Sequence, residues 1–225
     1  MKTALITGTS SGIGLELIKK FDKESIRTIS LSRSDIVSDH EFSSNLTHIN
    51  FDITNVEDIK KLVEFLNFNS LQVDFLINNA GKLVNKPFLD QSEVDFKTTY
   101  DVNFFGIVRL IQSLFPFFKK DSHILNVSSI GGIGGSSKFP GLSSYSSSKG
   151  ALNILTEVLA TEFKEGPYFN TLCLGAVQTP MLELAFPGYK AEVKPEDMAQ
   201  FIYNFCTSNP LLFNGKVIPV SISNP

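Results

Sequence analysis

Only two cysteines occur in the chain, Cys173 and Cys206, and neither stands in a CxxC or Cys/His grouping. That spacing argues against a thiolate metal site, so no metal is expected, and it predicts free thiols in a reducing compartment. A basic excess is missing too. The net charge is −3 with acids and bases interspersed, which leaves no positive stripe to track a phosphate backbone and makes nucleic acid an unexpected partner. Long apolar runs are scarce as well. The richest, Phe104 to Phe118, is broken by Gly106, Arg109, Gln112 and Pro116 and is too short and polar to span a bilayer, so no membrane partner is expected. Met1-Lys2 leads straight into Thr3-Ala4-Leu5-Ile6, an apolar run too short for a secretory h-region, and the expected location is the cytoplasm.

What is present is enough for one sizeable core. With 225 residues and 42% hydrophobic composition, a single domain over residues 1–225 accounts for the whole chain without a linker or repeat. Lys2 to Thr7 reads as a strand, and Ile13, Leu17 and Phe21 then recur at the spacing of an amphipathic helix. Strands follow at Arg27 to Leu31 and at His48 to Phe51, the latter closed by Asp52, with a helix marked by Val56, Ile59, Val63 and Leu66. Val73 to Asn78 is nearly all apolar, as in a strand buried on both faces of a parallel sheet. A helix from about Ser92 to Phe115, a strand at His123 to Val127, a helix after Tyr145, a strand at Phe169 to Leu174, a helix opened by Pro195 and a strand at Val217 to Val220 complete the series. The alternation predicts an α/β fold: a Rossmann-type, doubly wound parallel sheet of about seven strands with helices on both faces and ligands at the carboxyl ends of its strands.

Two stretches interrupt this pattern. Between the first strand and helix lies TGTSSGIG, Thr7 to Gly14, where Gly8, Gly12 and Gly14 suit a tight turn, a close backbone approach to a ligand and helix–strand packing. Free N–H groups at that helix start favour a phosphate. The second stretch, Ser128 to Lys149, contains nine Ser and five Gly and has the composition of a flexible linker. Yet a buried strand runs into it and a helix runs out, and Tyr145 and Lys149 stand four apart, on one helix face. A phenol with an ordinary pKa of about 10 needs neighbouring positive charge to shuttle protons near neutrality, which Lys149 can supply.

Together TGTSSGIG, the NNAG at Asn78 to Gly81, Asn103, the NVSS at Asn126 to Ser129 and the YSSSK at Tyr145 to Lys149 resemble the short-chain dehydrogenase/reductase family, over roughly residues 3 to 220. The resemblance implies hydride transfer between a nicotinamide and a small-molecule carbonyl or alcohol, with Tyr145 as general acid/base, Ser129 as hydrogen-bond donor to the substrate oxygen, Lys149 holding the nicotinamide ribose, and Asn103 supporting a proton-relay water. It assigns the cofactor to Gly8, Ser10, Ser11, Gly12, Ile13 and Gly14, to Asn79, Ala80 and Gly81, to Asp52 and Ile53 beside the adenine, and to Tyr145 and Lys149. In LGAVQTP, Leu174 replaces the family's proline, while Gly175, Val177 and Thr179 remain as cofactor contacts. The family's habit of pairing helices across a two-fold axis implies a homodimer or homotetramer.

Two departures leave alternatives open. Ser129 and Tyr145 are sixteen apart, about three more than the family usually allows. The excess, within Gly134 to Phe139, must bulge outward for Ser129 to keep its place; otherwise Ser128 or Ser143 is the donor. At the end of the second strand Ser32 and Arg33 replace the acidic residue of NAD-specific relatives, which favours NADP(H) over NAD(H). The rival is Asp35 as ribose acceptor, which needs a strand end two or three residues later. Met181, Leu182, Leu184 and Phe186, in a short segment near residues 180–194, suit either a substrate cover or the core. A catalytically silent nucleotide-binding scaffold of the same fold is the alternative to an enzyme.

Overall fold

Alternate residues along the first strand enter different cores. In β1 (Thr3–Thr7), Leu5 packs with Ile29, Leu76 and Ile124 on one side, while Ala4 and Ile6 pack with Ile77, Leu125 and Leu172 on the other. All five residues of β1 are buried, and so are all six of β4 (Val73–Asn78), so both faces of the sheet are covered. The computed structural model describes residues 1–222, apart from the side chains at 210 and 211.

The remaining strands are β2 (Arg27–Ser32), β3 (Leu46–Asn50), β5 (Phe118–Ser129), β6 (Tyr168–Leu174) and β7 (Val217–Val220). They pair in parallel in the order β3-β2-β1-β4-β5-β6-β7. Helices α1 (Gly12–Lys23) and α7 (Pro195–Thr207) cover the face of Ala4 and Ile6. The opposite face meets α2 (Val56–Phe68), the helical stretch made of α3 (Glu93–Tyr100) and α4 (Gly106–Leu114), and α5 (Ser143–Glu162). Because β1 is flanked by β2 and β4, the chain leaves it in opposite directions, and a crevice opens at the carboxyl ends of β1 and β4. Among the described residues no helix is long and apolar enough to cross a membrane.

Several boundaries differ from the sequence expectation. The third strand starts two residues earlier and ends at Asn50, so Phe51 and Asp52 belong to the turn after it. The fifth strand runs to Ser129 because the β6 backbone pairs with it through Ser129↔Leu174, a ladder indifferent to side-chain polarity. The single helix expected over Ser92 to Phe115 is interrupted at Asp101–Phe105 by a π turn, where the Gly106 N–H donates to the Asp101 carbonyl. A one-residue widening barely disturbs apolar periodicity, so nothing in the pattern betrays it. Helix α5 begins at Ser143, ahead of Tyr145, which places the tyrosine in its first turn.

Candidate active site

The glycine turn is clamped to the end of β4 by side chains. Thr7 Oγ1 accepts from the backbone N–H groups of Asn79 and Ala80, both at 3.0 Å, and Asn79 Nδ2 donates to the carbonyls of Thr7 and Gly8, again at 3.0 Å. Gly8 adopts φ +71°, and a Cβ there would come 2.7 Å from Ala80 Cα. A Cβ on Gly14 would collide with the Gly8 carbonyl, so only glycine lets α1 start this close to the turn. Thr7, absent from the candidates drawn from the sequence, is thus what joins the two motifs; its place as a polar residue ending an apolar strand directly before Gly8 was the available signal.

Helix α1 starts without a side-chain cap at Ser11 and carries no acidic residue in its first turn. Its leading N–H groups and the positive end of its dipole are therefore uncompensated, as an anion site requires. Ser10 is half-buried and Ser11 exposed beside it, whereas Ile13 packs into the core next to α7.

At the adjacent edge β2 ends at Ser32, whose hydroxyl donates to the Ser34 carbonyl at 2.8 Å. Arg33 follows, exposed and without an ion-pair partner among the described residues; Asp35 lies three positions beyond the strand, not at its end. Asp52 is turned inward on its own loop, accepting from Thr54 N and Oγ1 at 2.8 and 2.7 Å, while Ile53 is buried.

The central group gathers where β5 meets α5. The Tyr145 phenol faces the Ser129 hydroxyl, which pulls its pKa down, and that hydroxyl accepts from Gly131 N–H at 3.2 Å. The other hydroxyl candidates are engaged elsewhere: Ser128 donates to the Lys149 carbonyl, and Ser143 accepts from Gln91. Lys149 is buried, its Nζ donating to the Val127 carbonyl at 2.8 Å and lying 5.9 Å from the Tyr145 ring centre. Burial pushes the Tyr145 phenol up to about 12, against the pull of Ser129, and pushes Lys149 down to about 8. The sequence had suggested a phenol lowered by its lysine. Desolvation is the largest cause acting on the phenol, and the ammonium donates to the Val127 carbonyl and not to the phenol.

Asn103, in the π turn, exchanges two hydrogen bonds with the backbone of Lys82, at 2.8 and 2.9 Å, and donates to Ser148 Oγ at 3.0 Å. Its side chain ties the segment after NNAG to α5. A Cβ placed on Gly81 would find Asn103 Oδ1, Met181 Cε and Lys149 Nζ within 3.8 Å, so these three groups surround one point.

The excess between Ser129 and Tyr145 bulges outward: Gly134, Gly135 and Ser137 through Pro140 are exposed, and nothing stands within 4 Å of a Cβ built on either glycine. Beyond β6, Gly175 donates to the Val220 carbonyl at 2.9 Å and Val177 is buried in a bridge with Val193. Both hold the sheet edge and the following loop. Thr179 accepts from Leu182 N–H as the cap of α6 (Pro180–Ala185) and packs its methyl group against Gly12. Of this segment's apolar side chains, Met181 reaches the site and Leu184 is 83% exposed.

A sequence profile described as short chain dehydrogenase matches residues 2–190. This chain belongs to the short-chain dehydrogenase/reductase family. It is an oxidoreductase, and members of the family use a nicotinamide cofactor. It is similar to a fatty acyl-CoA reductase of Acinetobacter baylyi, 29% identical over 93% of this chain and 74% of that protein. It is also similar to the oxidoreductase UcpA of Salmonella typhimurium, 30% identical over 93% and 81%. The 3-ketoacyl-(acyl-carrier-protein) reductase of Brucella melitensis, solved with NADH, superposes with a TM-score of 0.87 at 26% identity, over 98% of this chain and 96% of that one.

Proposed function

We propose that this short-chain dehydrogenase/reductase transfers a hydride between NADP(H) and a carbonyl compound or the corresponding secondary alcohol, with Tyr145 as general acid/base. The observation that carries the reading is the Tyr145 phenol set beside the Ser129 hydroxyl, with the Lys149 ammonium buried one helical turn away. The uncapped start of α1 fits a pyrophosphate, and the turn before it needs its glycines, since a Cβ at Gly8 would meet the Ala80 backbone and one at Gly14 the Gly8 carbonyl. A cofactor held by this turn would supply or receive the hydride through its nicotinamide. Ser129 donates to the substrate oxygen, where negative charge builds up, and Tyr145 passes its proton to that oxygen as the carbon–oxygen double bond is reduced. A phenol held near 12 is protonated at neutral pH, the state in which it can act as the acid when the carbonyl is reduced. Lys149 and Asn103 orient the site: Lys149 would hold the ribose of a bound cofactor, and Asn103 holds the segment after NNAG against α5.

Preference for NADP(H) is supported by Ser32 at the end of β2 and by the exposed Arg33 beside it, a hydroxyl and a guanidinium suited to a 2′-phosphate. The Brucella reductase was solved with NADH, so the comparison must be made directly. The test follows reduced-nicotinamide absorbance with a panel of aliphatic ketones, aldehydes and alcohols, using each cofactor, in wild type and Tyr145→Phe. Turnover with NADPH that falls at least about 100-fold in the variant is expected. Unchanged turnover would refute the role of Tyr145, and a clear preference for NADH would refute the cofactor assignment.

A homo-oligomer is also proposed. Phe105 on the α3–α4 stretch and Ile154 and Val158 on α5 are 48%, 61% and 53% exposed, an apolar face on neighbouring helices. A monomeric mass by light scattering at micromolar concentration would overturn it.

A further inference from the structure

Helix α5 carries Tyr145 in its first turn, yet it has no cap of its own: Leu142 occupies the cap position and offers no side-chain oxygen. The missing acceptor comes from a distant residue. Gln91 Oε1 accepts the Ser144 N–H at 3.2 Å, and because that N–H can only donate, the amide orientation is determined. The other end of the same amide, Nε2, donates to the Lys86 carbonyl at 2.8 Å, the Gly141 carbonyl at 2.9 Å and Ser143 Oγ at 3.0 Å. Lys86 N–H adds a backbone bond to the Gly141 carbonyl at 3.1 Å. One half-buried side chain therefore gathers the loop after β4, the end of the outward-bulging loop and the start of α5.

We infer that Gln91 is a positioning residue for Tyr145, setting where α5 begins, and that the donor side of its amide shapes the substrate mouth. The physical argument is that a helix start is its most easily frayed part, its first N–H groups having no partner within the helix. Tyr145 lies one residue past Ser144, so fraying there displaces the phenol from Ser129, whose own position is set by β5. The two ends of the amide do different things. The acceptor end acts on the helix and hence on the chemical step; the donor end acts on the loop junction at Lys86 and Gly141 and hence on substrate entry. The inference rests on the reading of Tyr145 as the acid/base group.

Two substitutions separate these roles. Gln91→Leu removes both ends at similar volume. Gln91→Glu keeps an acceptor for Ser144 N–H and loses the donors to both carbonyls. In Gln91→Leu the expected outcome is a kcat about tenfold lower, with a shifted pH profile for kcat, NADPH affinity within about twofold of wild type, and Ser144 amide hydrogen exchange faster by about tenfold. In Gln91→Glu, kcat and Ser144 exchange stay within about threefold while KM for the carbonyl probes rises about tenfold. Aliphatic ketones and aldehydes with NADPH serve as the probes, and Tyr145→Phe runs alongside. Wild-type Ser144 exchange and kcat in Gln91→Leu would overturn the inference, as would equal losses of kcat in both variants. Should Gln91→Leu fail to fold, the kcat and KM of Gln91→Glu decide alone. Full turnover by Tyr145→Phe, or no turnover by wild type, would count against the proposed reaction instead; the Ser144 exchange would still report whether Gln91 holds the helix start.

Discussion

The Lys149 ammonium donates to the Val127 carbonyl at 2.8 Å, two residues upstream of Ser129 on the same strand. A side chain on α5 is thereby pinned to β5 at the height of the site, and a cation is held out of water.

That burial has a pH signature. Folding lowers the Lys149 pKa from 10.5 to about 8, so the charged lysine costs stability. The cost is complete below pH 8 and is relieved as pH rises toward 10.5, where the unfolded chain also loses the proton. Tyr145, raised from 10.0 to about 12, works the other way: its contribution to stability falls as pH climbs through that interval. Lys149→Met is therefore expected to be at least as stable as wild type at pH 7, by up to about 3 kcal/mol less about 1 for the orphaned carbonyl, while losing activity. Urea unfolding at pH 7 and pH 10 checks this, the gap between the two proteins narrowing at the higher pH.

Thr7 supplies the acceptor for two N–H groups of the NNAG turn. Thr7→Val leaves the Ala80 N–H without its partner and the Asn79 N–H with only the Ile77 carbonyl, at 3.1 Å, and is expected to cost about 1–3 kcal/mol and to weaken cofactor affinity. Thr7→Ser, which keeps the hydroxyl, should recover most of both in denaturation and fluorescence-binding measurements.

Arg33 is exposed at the end of β2 with no ion-pair partner among the described residues. Arg33→Asp is expected to weaken NADPH binding by about tenfold or more through loss of a charge-assisted contact, and to leave NADH within about threefold. Titration of both reduced cofactors by fluorescence measures the ratio. An equal effect on both would mean that Arg33 does not meet the 2′-phosphate.

Ser137, Lys138 and Phe139 are all exposed in the outward bulge, and Lys138 Nζ bonds only the loop's own Ile133 and Ser136. Deleting these three residues is expected to leave kcat within about threefold and the thermal midpoint within a few degrees, since shortening a surface loop changes closure entropy little. KM for the carbonyl probes is the quantity expected to move. A collapse of kcat would mean that the bulge supports Ser129.

Much of the fold was legible because its rules are local. Strands buried on both faces read as apolar runs, and the spacing of Ile13, Leu17 and Phe21 marks a helix, so the order of elements follows from residue types. The Tyr145–Lys149 pair was legible for the same reason, since a helix converts a separation of four into adjacency. The π turn at Asp101–Phe105 was hidden because one extra residue in a turn leaves the periodicity almost unchanged. Gln91 was hidden because a glutamine before a helix reads as surface; its four partners come from segments up to 53 positions away.

By itself, then, the sequence determined the sheet, the glycine turn and the adjacency of Tyr145 and Lys149 on one helix face, set by periodicity and short-range spacing, and the family, set by its motifs. Only the tertiary structure decided which serine hydroxyl meets Tyr145, that the excess loop turns away from it, and that Lys149 reaches Val127 while the phenol is raised by burial. The reason is physical: hydrogen-bond partners and desolvation depend on which distant segments pack together, and a spacing along the chain carries no record of that.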